Sequence, residues 1–218
     1  MTENTITLIT GGSRSGKSRM ALERALSYPR RIFLATAEVT DPEVAKRIER
    51  HKKERGPDFL TVEEPLYLAK AIRRPADESD VILIDCLTFW LNNLFHHFQG
   101  SLERISKEIQ EFLSLLEEKP APLVIVTNEV NMGIVPSDEL SRRFVDEQGR
   151  LNQEVARRSD EVIFMVAGIP QFLKRAESLR PVIARPPKAA EAISGLGSLR
   201  RPPETAAGFS PACRRGRQ

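Results

Sequence analysis

Eight consecutive residues, Gly11-Gly12-Ser13-Arg14-Ser15-Gly16-Lys17-Ser18, constrain this chain more than any other feature. They fit the pattern G-x-x-x-x-G-K-[ST]. The apolar run Ile6-Thr7-Leu8-Ile9-Thr10 precedes them, and Met20, Ala21, Leu22, Ala25 and Leu26 follow at helical spacing. The glycines let the backbone curl until several N–H groups face one centre, and they allow phosphate oxygens to come close. A helix opening at Lys17 adds the positive end of its dipole. Lys17 is placed to reach the β- and γ-phosphates of a nucleoside triphosphate, and Ser18 to bind Mg²⁺. Strand, glycine-rich loop and helix in this order make a phosphate-binding loop, or P-loop.

The rest of the chain suits that reading. Short apolar runs at Thr5–Thr10, Arg31–Ala35, Asp80–Asp85, Pro122–Thr127 and Glu161–Val166 read as parallel strands covered on both faces. Helical stretches are expected at Lys17–Ser27, Pro42–Glu54, Pro65–Arg73, Thr88–Phe98, Leu102–Glu117 and Ser137–Arg158. In the fifth of these, Leu102, Ile105, Ile109, Phe112, Leu113 and Leu116 mark a face to be buried. Strands alternating with helices predict an α/β fold, a mostly parallel sheet with helices on both faces.

The folded domain is expected to occupy residues 1–174. Residues 175–218 carry a charge of +6 and six of the fifteen prolines, with no sustained apolar period. They read as a disordered tail. Because the whole chain is only +3, the first 174 residues are net acidic at −3. An acidic domain with two Tyr, one Trp and no run of stacking aromatics is not expected to bind nucleic acid. No stretch approaches the roughly 20 apolar residues of a membrane span, and no signal peptide is legible. With two distant cysteines, Cys86 and Cys213, the chain reads as a cytoplasmic protein without a structural disulfide. Cys86 reads as a small buried thiol.

Two further positions invite a chemical role. Asp85 ends the apolar run Val81-Ile82-Leu83-Ile84, where P-loop proteins place a Mg²⁺-holding acid; it also stands where a helix N-cap would. His51 lies in Arg47-Ile48-Glu49-Arg50-His51-Lys52-Lys53-Glu54-Arg55. On a helix, Arg47 and Arg55 share its face, and cations favour the neutral, nucleophilic imidazole. A charge run is also what a solvated helix face looks like, and both readings of His51 stand on the residues alone. His96 and His97 read as ordinary C-terminal residues of a helix.

Taken in order, TGGSRSGKS, FLATAE, RIERHKKERGPDFLTVEEP, LIDCLTFWLNNL, VTNEVNMGIVP and GRLNQEVARRSDEVIFMVAGIP resemble a known family. It is the bifunctional adenosylcobinamide kinase / adenosylcobinamide-phosphate guanylyltransferase family of cobalamin biosynthesis, and the resemblance runs from about Ile6 to Lys174. It implies a RecA-like P-loop fold and a homotrimer. It implies two reactions: phosphorylation of adenosylcobinamide by ATP or GTP, then transfer of GMP from GTP, through a guanylylated histidine, to adenosylcobinamide phosphate. The histidine maps onto His51, with Lys17 as the other catalytic residue. Nucleotide contacts map onto Gly11 to Ser18, Ala35, Thr36, Ala37, Lys52, Lys53, Glu54, Arg55, Glu63 and Asp85. Mg²⁺ would fall to Ser18 and Asp85. Glu63 could accept hydrogen bonds from guanine N1–H and its amino group. Asn128 to Pro136 is expected to border the corrinoid or the phosphates, or to be a structural loop. Two rival readings remain: a P-loop kinase for another metabolite, for which His51 is dispensable, and a nucleotide-binding switch without small-molecule chemistry.

Overall fold

The computed structural model describes residues 4–39, 42, 45, 46, 48, 49, 52, 56–130 and 132–175. Its elements in chain order are β1 (Ile6–Gly11), α1 (Lys17–Ala25), β2 (Arg31–Ala35), β3 (Leu60–Glu63), α2 (Leu68–Arg73), β4 (Val81–Asp85), α3 (Leu87–His97), α4 (Leu102–Glu118), β5 (Leu123–Val126), α5 (Glu139–Arg158), β6 (Glu161–Val166) and β7 (Ile169–Lys174). The helix expected over 42–54 is described only at isolated positions. The tail expected from 175 lies, beyond Arg175, outside the described residues.

The strands form one sheet in the order β3-β2-β4-β5-β1-β6-β7. Every pairing is parallel except β6 with β7. Strand β5 therefore stands between the loop-bearing β1 and the acid-bearing β4. This is the α/β P-loop architecture, with a RecA-like order. All five expected strands are present.

Alternation along the strands divides the core between two faces. Ile6, Leu8, Ile82, Ile84, Leu123 and Ile125 pack against α2 to α5. Ile9, Val81, Leu83, Val124 and Val126 pack against Ala21 and Ala25 of α1 and against Phe59. On the first face Trp90 is fully buried, its ring 5.2 Å from that of Phe112 and its Nε1 donating to the Leu66 carbonyl at 2.8 Å. Burial on this scale makes truncation of Phe112 to alanine cost about 3–5 kcal/mol.

Three expectations need correction. Strands β3 and β7 lie at the two edges of the sheet. They are half or more exposed and lack the continuous apolar run that marks a buried strand. The helix expected from Pro65 begins at Leu68, because the Glu64 carboxylate accepts from the N–H groups of Leu66 and Tyr67 at 2.9 Å and holds a turn there. Leu102, expected on the buried stripe of α4, is 43% exposed, since it sits at the first position of the helix, beyond the packed neighbours. The other five members of the stripe are buried, with Leu115 added.

Candidate active site

Parallel strands in this order present their carboxyl ends along one edge, where α/β proteins bind ligands. The loop after β1, the loop after β2, the ends of β3 and β4 and the corner after β5 all meet there.

The phosphate loop is shaped by two glycines. Gly11 has φ +147° and Gly16 has φ +98°, conformations that side chains rarely adopt. A β-carbon on Gly11 would lie 2.4 Å from the Met165 carbonyl oxygen. Gly16 caps α1 without a side-chain hydrogen bond, so the first-turn N–H groups have no intrahelical acceptor. Two backbone bonds brace the loop from outside. The Glu129 N–H donates to the Gly11 carbonyl, and the Gly168 N–H to the Ser15 carbonyl, each at 3.0 Å.

Lys17 is only 6% exposed. Its ammonium donates to the Gly12 carbonyl at 2.6 Å and to Ser15 Oγ at 3.5 Å, so it is folded back onto its own loop. Burial pushes its pKa below the ordinary value; attraction to Cys86 and Asp85 works against this. The lysine and the acid at the end of β4 are thus electrostatic neighbours. Cys86 is itself buried, and its thiol is pushed up to about 12 by that burial and by Asp85. It remains a protonated thiol, as its apolar setting implied.

Ser18 and Asp85 are both partly buried at this edge. They offer hard oxygen donors, and no group of three or more His, Cys, Asp or Glu among the described residues could hold a metal. Two oxygen ligands, with phosphate oxygens and water for the rest, is the donor set Mg²⁺ accepts beside a nucleotide.

At the ends of β2 and β3 lies a cleft of about 760 Å³, lined by Ala35, Ala37, Lys52, Glu63, Pro65 and His96 among others. Lys52 Nζ and Glu63 Oε1 are 2.9 Å apart across it, both exposed. His96, read from the sequence as a mere helix end, also lines this space; nothing in the local pattern marked it, since its place on the cleft depends on how α3 packs against the sheet. Thr36 is turned the other way. It is fully buried, its hydroxyl donating to the Cys86 carbonyl and accepting from the Cys86 N–H, both at 2.8 Å. Its own carbonyl accepts from Asn93 Nδ2 at 2.6 Å. Thr36 therefore ties the ends of β2 and β4 together, leaving Ala35 and Ala37 on the cleft. His51, Lys53, Glu54 and Arg55 lie outside the described residues.

The segment after β5 has two characters. Its start is anchored: the Asn128 N–H donates to Thr88 Oγ1 at 2.9 Å, and Asn152 Nδ2 to the Asn128 carbonyl at 3.1 Å. Farther on, Met132, Ile134 and Val135 are 76%, 97% and 75% exposed, an apolar tip on the surface.

Residues 7–173 match the family described as cobinamide kinase / cobinamide phosphate guanyltransferase. This chain belongs to that family. The match begins inside β1 and ends one residue before the end of β7, so the cobinamide kinase / guanyltransferase unit coincides with the described sheet. A bifunctional adenosylcobalamin biosynthesis protein, CobP, of Pseudomonas aeruginosa is 43% identical over 168 residues, covering 77% of this chain and 96% of its own length. Two proteins named CobU, from Escherichia coli K12 and Salmonella typhimurium LT2, are 37% and 39% identical over 178 residues, each covering 77% of this chain and 98% of its own. Among the described residues no helix is long and apolar enough to cross a membrane.

Proposed function

We propose that this enzyme phosphorylates adenosylcobinamide with ATP or GTP and then carries GMP from GTP, through a guanylylated His51, to adenosylcobinamide phosphate. The supporting observation is the pairing, at one sheet edge, of a triphosphate cradle with a separate cleft. Gly11 to Ser18 form the cradle after β1, and Ala35, Ala37, Lys52 and Glu63 line the cleft at the ends of β2 and β3. Family membership supplies the chemistry that this geometry can host.

In this reading the triphosphate lies on the loop N–H groups, and Lys17 leaves the Gly12 carbonyl for the phosphates. Ser18 and Asp85 are the residues that would hold Mg²⁺, which supplies neutralising charge to the phosphate oxygens when bound. Guanine enters the cleft, where the Glu63 carboxylate exchanges Lys52 for the N1–H and amino donors of the base. In guanylyl transfer, neutral His51 attacks the α-phosphorus in line, and pyrophosphate leaves against the Lys17 charge. In the kinase step the acceptor hydroxyl attacks the γ-phosphorus instead, with positioning and electrostatics supplying most of the catalysis. The exposed Met132, Ile134 and Val135 offer an apolar rest for the corrinoid. Assembly as a homotrimer and a cytoplasmic location belong to the same proposal.

The test is α-labelled GTP with Mg²⁺, followed by denaturation and a search for protein-bound label, beside His51→Ala. Acid-labile, base-stable label that requires His51 supports the reading. Well-folded protein that binds GTP and takes no label would favour a kinase without guanylyl transfer.

A further inference from the structure

Phosphorylating an alcohol requires something that guanylylating a histidine does not. As the new O–P bond forms, the acceptor O–H must lose its proton to a nearby base. A neutral imidazole has no proton to lose from its attacking nitrogen, and a phosphate monoester acceptor is already ionised. The two halves of the proposed reaction therefore differ by one proton acceptor.

We infer that Glu129 is that acceptor, a catalytic residue for the kinase half alone. Three observations lead to it. The first is place. Strand β5 lies between β1 and β4, and the corner that follows it stands beside the phosphate loop, with the Glu129 N–H on the Gly11 carbonyl at 3.0 Å. Two acidic residues therefore stand at the strand ends around the cradle, Asp85 closing β4 and Glu129 in the corner after β5. Asp85 sits at the Lys17 side, where the proposal above assigns the metal.

The second is freedom. Glu129 is half-buried, and among the described residues its carboxylate has no hydrogen bond or ion pair. Two other acids at this edge are engaged, Glu63 with Lys52 and Glu64 with the N–H groups of Leu66 and Tyr67.

The third is rigidity. The corner rests on a buried side-chain network from α5. Thr127 Oγ1 donates to Asn152 Oδ1 at 2.8 Å. Gln148 Nε2 donates to the same oxygen at 2.8 Å and to Thr127 Oγ1 at 3.1 Å. Asn152 then holds the Asn128 carbonyl, and Thr88 holds the Asn128 N–H. Thr127 and Gln148 are completely buried. Two polar side chains one helical turn apart thus fix the peptide that precedes Glu129, which is how a group is held for proton transfer. Gln148 and Asn152 act through Glu129 as positioning residues.

The step balances as follows. The acceptor O–H bond breaks and its proton passes to the Glu129 carboxylate. The alcohol oxygen forms a bond to the γ-phosphorus. The bond from that phosphorus to the β–γ bridging oxygen breaks, and the nucleoside diphosphate leaves with the electron pair.

This assignment rests on the two-step reading above, and the test separates them. The rates of the unaltered enzyme, for phosphorylation of cobinamide from γ-labelled GTP and for self-labelling by α-labelled GTP, report on the two-step reading. The ratio of variant to unaltered enzyme reports on Glu129. Glu129→Gln should lower the kinase kcat on the order of 10²-fold or more, with KM values little moved, while self-labelling falls less than about threefold. Glu129→Ala should recover part of its kinase rate in formate, a small carboxylate that can fill the space. A kinase rate unchanged in Glu129→Gln, or kinase and self-labelling falling together without formate rescue, would overturn the assignment.

Discussion

Adding one methyl group to Gly11 should damage the fold, whereas adding the same group to its neighbour should not. At Gly11 the new carbon would lie 2.4 Å from the Met165 carbonyl oxygen, 2.9 Å from Ser15 Oγ and 3.2 Å from the Met165 N. Ser15 can turn aside. Met165 cannot, because it is paired with Gly11 in the β1–β6 ladder. A side chain at φ +147° adds conformational strain of about 1–3 kcal/mol. Overpacking against a fixed backbone adds a further 1–3 kcal/mol or so. Together these give about 2–6 kcal/mol, a large part of the roughly 5–15 kcal/mol that holds a domain folded. For a domain of this size the melting temperature of Gly11→Ala should drop by roughly 5–20 °C. Gly12 is the control. A β-carbon there meets nothing within 4 Å, and no unusual φ is involved. Gly12→Ala should keep its unfolding free energy within about 0.5 kcal/mol of the parent. Calorimetry or urea titration without nucleotide reads both variants. Equal stability of Gly11→Ala and the parent, or equal damage from both substitutions, would refute the account of the loop.

Two further outcomes are expected. The folded-state pKa of Lys17 is lowered by burial, so its charged form weakens the nucleotide-free fold at neutral pH, and stability should rise as pH climbs through that lowered value toward the ordinary one. Lys17→Met should lack this alkaline rise and melt no lower than the parent at pH 7. It should also lose the stabilisation by Mg-GTP, about 2.7 kcal/mol at a hundredfold excess over Kd, that the parent shows; a variant stabilised as much by nucleotide would contradict the role given to Lys17. With its thiol pushed up to about 12 and only 4% exposed, Cys86 should resist a thiol reagent at pH 8 in a Cys213→Ser background and react fully once denatured; rapid native labelling would mean that the carboxyl edge of β4 opens.

What could be read from the residues follows from where the physical signal is local. The phosphate loop, the acid ending β4 and the five buried strands are contiguous patterns, so they were legible. The two edge strands were not. Leu60 to Glu63 alternate weakly and leave Leu60 67% exposed, while Ile169 to Lys174 carry a proline and little burial. A signal for β7 was present in Ala167-Gly168, whose φ values of +51° and +82° make the tight turn that favours a hairpin. The inward turn of Thr36 and the bracing of Thr127 by Gln148 and Asn152 join residues 21 to 50 positions apart. Such pairings arise only once the sheet order brings the elements together.

The β6–β7 hairpin has a bearing on how short this enzyme can be made. Its turn touches the phosphate loop through the Gly168 N–H, and a β-carbon on Gly16 would come within 3.3 Å of Gly168 Cα. The single antiparallel strand returns the chain from that contact and pins the turn in place. Truncation after Val166 would keep every parallel strand and still strip one wall from the cradle. Trimming for crystallisation or minimal-enzyme design should therefore keep the whole hairpin and begin on the far side of it.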